Sequence, residues 1–274
     1  MATPTRSQQQ LAADFLALHQ TGQPLLMPNP YDAGSARVLA ASGFAALATT
    51  SSGFAATMGR RDHKVTREEA LSGAAGIVAA VEIPVSADLE NGFADEPAAV
   101  AATIAGALDA GLAGCSIEDA TGRRDQPLYE SGFAAERIAA AAEAAHAGPV
   151  HLVLTARAEG FLFPDPDLGE VIRRLQSFQE AGADVLFAPG ITDLATIKTV
   201  VSEVDRPVNV LVLPGSPSVA VLAAAGVARI SIGGTFTWVA LGAVRAAAEQ
   251  LKAGSYGFFD AAAKGREIVT QAFR

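Results

Sequence analysis

Cysteine is all but missing from this chain. Cys115 stands alone, which excludes a disulfide framework and fits a reducing compartment. Positive charge is scarce too. Lys and Arg number 20 against 29 Asp and Glu, and the net charge of −9 argues against nucleic acid or an anionic membrane as partner. There are only four histidines, and no Ser-His-Asp grouping can be assembled from them. Long apolar runs are absent as well. A long charge-free stretch lies between Arg206 and Arg229 and is broken by "PGSP", so no membrane helix is read there. The opening "MATPTRSQQQ" has no apolar segment of the signal-peptide kind. The expectation is a soluble, cytoplasmic protein.

What the chain does have is small residues, among them 26 Gly, in a sequence that is 50% hydrophobic. Its 274 residues suffice for one large core. Eight short apolar runs recur: "PLLMPN" (24–29), "ALATT" (46–50), "PVSADLE" (84–90), "GCSIED" (114–119), "HLVLTAR" (151–157), "DVLFAP" (184–189), "VNVLVL" (208–213) and "RISIG" (229–233). Each is apolar through its middle rather than alternating, the mark of parallel strands buried on both faces. Ala-rich helical stretches separate them, with start signals at Thr66 and Glu69, Asp95 and Pro97, Asp167 and Glu170, and Thr192. Glycines end these helices.

This alternation predicts a single (β/α)8 TIM barrel. No GxGxxG follows the first strand, which disfavours a doubly wound sheet. The barrel core spans about 22–250, preceded by a helix in "SQQQLAADFLALHQ" and followed by a tail over 254–274. The tail carries Tyr256, Phe258 and Phe259, then a helix from Asp260, and aromatics there are expected to pack on a neighbouring subunit.

Function in such a barrel sits at the C-terminal strand ends, and their polar residues concentrate on the third and fourth strands. Asp88 and Glu90, two apart, are read as sharing one face, with Asn91 beyond them and Glu118 and Asp119 on the next strand. Asp88, Glu90 and Glu118 would repel one another without a cation, and oxygen-only ligands suit Mg²⁺, or Mn²⁺, rather than zinc. The plain alternative is that they cap helices or pair with Arg123 and Arg124. "TTSSGFAATMG" is read as a small-residue loop whose backbone N–H groups can cradle a carboxylate or phosphate. Arg157 offers a second anion contact, or else an ion pair with Glu118 or Glu159. His63 is read as a solvent-facing loop residue, and Cys115 begins its strand too early to serve as a nucleophile at the other end.

In order along the chain, "TTSSGF", "GRRD", "SADLENGF", "GCSIED", "TARAEGF" and "AGADVLF" resemble the isocitrate lyase/phosphoenolpyruvate mutase superfamily. The resemblance implies Mg²⁺ and a 2-oxo acid or its enolate at the barrel mouth. It implies that Asp62, Asp88, Glu90 and Glu118 hold the metal, largely through waters, and that Ser51, Ser52, Gly53 and Phe54 contact a substrate carboxylate. Asp88 also falls on the substrate side, Arg157 would hold the substrate's charged end, and Asn209 would bind a distal group. Arg157, Glu118 and Asp62 are then the catalytic candidates. Homo-oligomers, tetramers or dimers with exchanged C-terminal helices, are implied as well.

One departure matters. Lyases of this superfamily carry a "KKCGH"-like loop after the fourth strand, where this chain has "DATGRRDQPLYESG" (119–132) with neither Cys nor His. Chemistry needing a loop acid is disfavoured. That leaves a Mg²⁺-dependent C–C lyase of a small 2-oxo or 2-hydroxy di- or tricarboxylate, oxaloacetate decarboxylation needing least. Tyr129, Asp125 or water would then supply a proton. P–C bond chemistry on phosphonopyruvate, or a non-catalytic 2-oxo acid binder, are the alternatives.

Overall fold

All eight apolar runs become strands in the computed structural model, which describes residues 6–273. In chain order the elements are α1 (Gln8–Ala17), β1 (Leu25–Met27), α2 (Ala33–Ala41), β2 (Leu47–Ala48), α3 (Ser51–Thr57) and α4 (Arg67–Val78). Then come β3 (Val85–Asp88), α5 (Pro97–Asp109), β4 (Gly114–Glu118), α6 (Ser131–His146) and β5 (Val153–Arg157). A short 3₁₀ turn at Glu159–Leu162 precedes α7 (Leu168–Glu180), β6 (Val185–Phe187) and α8 (Leu194–Ser202). The chain continues with β7 (Val208–Leu211), α9 (Val219–Ala224), β8 (Arg229–Ser231), α10 (Thr235–Lys252) and α11 (Phe258–Ala272).

From β2 to β8 each strand pairs parallel with the next, and β8 returns to β1, so the sheet curls into a (β/α)8 barrel. The seam between β1 and β2 is closed by other means. The Ala48 N–H donates to the Pro28 carbonyl at 3.2 Å. The Asn29 amide donates to the carbonyls of Ala48 and Thr49, each at 3.1 Å, while its Oδ1 accepts from the Ile232 and Gly233 N–H groups, each at 3.0 Å. One buried side chain thus ties β2, β1 and β8 together.

Two apolar clusters result from strands buried on both faces. The larger lies between barrel and helices and includes Leu47, Ile104, Ile117, Leu154, Leu175 and Phe178. The smaller fills the N-terminal end of the barrel, where Phe15 of α1 packs against Leu25, Met27, Ala46, Val153 and Val185 as a plug. Cys115 is fully buried on β4. At this same end His146 and His151 stack with ring centres 4.0 Å apart, and both hydrogen-bond Asp184. That clip joins α6 to the starts of β5 and β6.

Several helix starts differ from the expected ones. Asp193, not Thr192, caps α8, and Glu96, not Asp95, occupies the cap position before Pro97. The last helix begins at Phe258 rather than Asp260. The larger correction concerns "TTSSGFAATMG". It is not an open loop: Thr50 caps α3, its Oγ1 accepting from the Gly53 N–H, and helix runs through Thr57. A cap with small residues behind it reads as a loop in sequence because nothing in it is amphipathic.

Candidate active site at the barrel mouth

Asp88, Glu118 and Arg157 end β3, β4 and β5, and their side chains meet at the C-terminal mouth. Arg157 is the hub. Its Nη1 donates to Asp88 Oδ1 at 2.9 Å, its Nη2 lies 3.2 Å from Glu118 Oε2, and its Nε donates to Glu159 Oε1 at 2.9 Å. One guanidinium therefore faces three carboxylates, all of them removed from bulk water. Asp88 is held further: its Oδ2 accepts from the Ser51 N–H at 3.1 Å, and its own N–H donates to Thr49 Oγ1 at 2.9 Å.

The charge balance is unequal, and the carboxyl groups register it. Burial drives Glu118 well above the ordinary carboxylate range, with Glu159 and Asp88 adding to the rise against the pull of Arg157. Glu159 moves up for the same reasons, burial first. Asp88 instead goes down, because Arg157 and the Ser51 and Glu90 N–H groups outweigh its burial.

Glu90 does not share the strand face of Asp88. It lies past the end of β3 with φ of 49°, a left-handed conformation that few non-glycine residues adopt, so strand alternation no longer applies. Its carboxylate turns to His63, whose Nδ1 is 2.9 Å from Glu90 Oε2. The His63 side chain stays 52% exposed, in line with its reading as a solvent-facing loop residue, and Glu90 is its added partner. The hydrogen bond to Glu90 pushes the imidazole up to about 9, so it is charged at neutral pH. Asp62, His63 and Glu90 bring their ligand atoms within 4.8 Å of one another.

Two hollows meet along this row. Asp62, Asp88, Arg157, Ser51, Ser52 and Asn209 line an inner cavity of about 200 Å³ that continues down the barrel axis. Glu90, Glu118 and His63 line a wider outer cleft of about 780 Å³, bordered by residues 63–68 and 120–122. Asp62, Asp88, Arg157, Ser51, Ser52 and Asn209 are thus brought to one cavity, with Glu90 and Glu118 on its outer flank. Gly53 and Phe54 are not part of that lining. Gly53 is buried so tightly that a Cβ would come within 2.5 Å of Thr237 Oγ1, and Phe54 packs on Gly73. The Ser51 N–H is already taken by Asp88, so α3 offers the cavity fewer free donors than an open loop would.

A divalent cation suits this donor set. The carboxylates at the mouth outnumber the cations, the donors they offer are hard oxygens, and Glu118 is otherwise forced toward its protonated form. Asp88, Glu90 and Glu118 are the residues that would hold the ion, directly or through water.

The loop after β4 is ordered and closed on itself. Ala120 bridges Leu128, and the Tyr129 N–H donates to the Asp119 carbonyl at 2.9 Å. The Tyr129 hydroxyl hydrogen-bonds Asp95, and the ring stacks under Arg137, 4.0 Å from its centroid. Burial pushes that phenol up to about 12. Tyr129 is therefore a structural anchor of the loop and not a proton donor to the cavity. Asp119 likewise faces inward, accepting from the Glu159 N–H at 2.8 Å and pairing with Arg174 at 3.1 Å.

The ion pair expected between Arg157 and Glu118 or Glu159 forms with both, Glu159 taking the third donor. Sequence reasoning missed one group. Arg229 was passed over entirely, and its signal was a lone cation at the head of the apolar run "RISIG".

Comparison with known proteins agrees with the barrel fold. The family model for phosphoenolpyruvate phosphomutase matches residues 15–252. A crystal structure of a Burkholderia cenocepacia protein, provisionally named a lyase/mutase, is 49% identical over 95% of each chain with a TM-score of 0.92. The structure of 2,3-dimethylmalate lyase is 28% identical, covers 93% of this chain and 90% of its own, and has a TM-score of 0.81. Oxaloacetate decarboxylase of Pseudomonas fluorescens is 29% identical over 216 residues, 76% of this chain and 68% of that protein.

Proposed function

Because the chain belongs to the phosphoenolpyruvate phosphomutase family, an enzyme family of lyases and mutases, we propose that it is a Mg²⁺-dependent carbon–carbon lyase. Its substrate is a small 2-oxo or 2-hydroxy dicarboxylate, and oxaloacetate decarboxylation is the favoured reaction. The observation that carries this reading is the self-contained loop after β4. Its two buried hydroxyls are committed elsewhere, Tyr129 to Asp95 and Thr121 to the Gln126 carbonyl, and no residue of this loop lines the inner cavity. Loss of CO₂ makes the least demand for an acid from this loop, since CO₂ departs without a general base.

The named relatives point the same way in part. One is an oxaloacetate decarboxylase and another cleaves 2,3-dimethylmalate. When bound, the divalent ion would act as a Lewis acid, stabilising negative charge that develops on the substrate oxygens. Asp88, Glu90 and Glu118 would hold it. The protein's own side chains do the rest. Arg157 has five N–H donors and spends three on carboxylates, which leaves donors for the substrate's charged end. The Ser51 and Ser52 hydroxyls border the same cavity and orient a carboxylate there. Asp62 and Asn209 border it from other sides.

The test is pyruvate release from oxaloacetate, dimethylmalate, methylisocitrate and phosphonopyruvate, with Mg²⁺ and with EDTA. Metal-dependent turnover of oxaloacetate above the metal's own background, abolished in Asp88→Ala, is the expected result. Turnover of phosphonopyruvate alone would move the protein to P–C chemistry. Tight oxalate binding without turnover would make it a 2-oxo acid binder.

A further inference from the structure

Arg229 is a buried guanidinium without a counter-ion. It opens β8 and is 3% exposed. Its Nε donates to Asn209 Oδ1 at 2.9 Å, and its Nη1 donates to Thr155 Oγ1 at 3.0 Å and to His19 Nε2 at 3.2 Å. All three acceptors are neutral. His19 is so because burial, helped by the charge of Arg229, brings it down to about 3. Its Nδ1 lies 2.8 Å from the Phe15 carbonyl, which can only accept, so Nδ1 carries the proton and Nε2 is free to receive from Arg229.

No carboxylate among the described residues forms an ion pair with Arg229, whereas Arg157 has three. Arg137 is buried without a carboxylate too, but main-chain carbonyls of Asn91, Ala94, Asp95 and Glu118 take its donors, and it does not reach a cavity. Arg229 differs on both counts. It lines the inner cavity, and its Nη2 has no protein acceptor among the described residues. Isolated buried charge costs several kcal/mol in a protein interior. Burial and the nearby charge of Arg157 bring Arg229 down to about 9, the response of a cation that lacks an anion.

The surroundings are those of an anion subsite. Ser231 stands two residues on along β8, roughly 7 Å of strand rise toward the mouth, and its Oγ accepts from the Asn209 amide at 3.0 Å. Ser86 and Ser116 border the same cavity, and neither hydroxyl has a protein partner among the described residues. The cavity of about 200 Å³ is several times the roughly 30 Å³ of a liquid water. It runs from Arg157 at the mouth to Arg229 below.

The geometry points to a second carboxylate subsite, in which Arg229 receives the distal carboxylate of a dicarboxylate whose 2-oxo or 2-hydroxy acid end lies at Arg157 and Asp88. The inference rests on the proposed reading of the mouth and deepens it. It orients the substrate along the barrel axis and makes a second carboxylate the feature that selects it. Arg229 is a specificity residue here. It supplies neither proton nor electrons. In a 2-hydroxy dicarboxylate cleaved between C2 and C3, the carboxylate it holds stays on the released fragment. In oxaloacetate that carboxylate is the group released as CO₂, its bonding pair passing to C3.

Calorimetric titration decides the matter with malate, lactate and oxalate, each in Mg²⁺ and in EDTA. Malate and lactate share the 2-hydroxy acid end and differ in the distal carboxylate, while oxalate has no distal group. Wild-type protein is expected to prefer malate to lactate by about tenfold or more, and Arg229→Gln to reduce that ratio to near one. Arg229→Lys, which keeps the charge without the fork, is expected to fall between them, and it decides the case if Arg229→Gln does not fold. A ratio near one in wild type, or a ratio unchanged in the variant that folds, overturns the proposal. Oxalate reports the mouth separately. If it shows no Mg²⁺-dependent binding while the malate preference exists and depends on Arg229, the metal reading falls and the anion subsite stands.

Discussion

Arg157 and Asp88 meet at 2.9 Å although their strands, β5 and β3, are not neighbours; the contact reaches across the end of β4, where Glu118 completes the group. Removing the guanidinium would leave three buried carboxylates facing one another. Arg157→Met is expected to cost about 3–5 kcal/mol in urea denaturation, the usual range for orphaning a buried charge. Mg²⁺ should stabilise this variant more than wild type, since the ion replaces the missing cation. Pyruvate release should fall at least 100-fold, about the scale of losing one charge-stabilising donor.

Asn29 closes the barrel seam with four hydrogen bonds to β2 and to the turn after β8. Asn29→Ala leaves buried main-chain groups without partners and is expected to cost about 2–4 kcal/mol. Urea melts would show it, and a loss under half a kcal/mol would mean that the seam is held by Ala48 and Pro28 alone.

His19 sets a pH dependence. Its folded value of about 3 lies below the unfolded 6.5, so the unfolded chain binds the extra proton between them. The contribution is complete above pH 6.5 and is lost as pH falls toward 3. Thermal melts from pH 7 to pH 4 should show a smaller decline in His19→Gln than in wild type.

Cys115 is fully buried, and burial pushes its thiol up to about 12. Thiolate is the reactive form. Native protein at pH 8 should not react with an aromatic disulfide reagent over minutes, whereas denatured protein should release one equivalent. Fast native reaction would mean that β4 opens readily.

The tail offers a test of assembly. α11 lies against α2 of its own chain, with Arg37 over the Phe273 ring, but buries none of its residues fully. Val244, Leu251, Phe259 and Ile268 remain exposed on α10 and α11. An apolar surface of this kind is expected to be covered by another subunit. Light scattering should report an oligomer, and Val244→Asp with Phe259→Asp should dissociate it.

The strands were legible in the sequence because parallel strands inside a barrel are apolar on both faces, and eight such runs in succession admit few other folds. The polar residues at their ends were legible too, since Asp88, Glu118 and Arg157 interrupt apolar runs where the chain leaves the sheet. The misreadings share a cause. "TTSSGF" lacks the apolar periodicity that betrays a helix, and its cap at Thr50 had no hydrophobic face to introduce. Glu90 follows strand alternation only if the strand continues, and a left-handed residue ended it. The pairing of His63 with Glu90 was not legible either, because the two lie 27 residues apart.

By itself, the sequence determined the barrel, the helix that precedes it and the set of carboxylates at the mouth, all of which follow from local period and burial. Only the tertiary structure decided which charges neutralise which. Arg157 takes three carboxylates and Arg229 none, because Coulomb interactions depend on distances across strands and not on spacing along the chain.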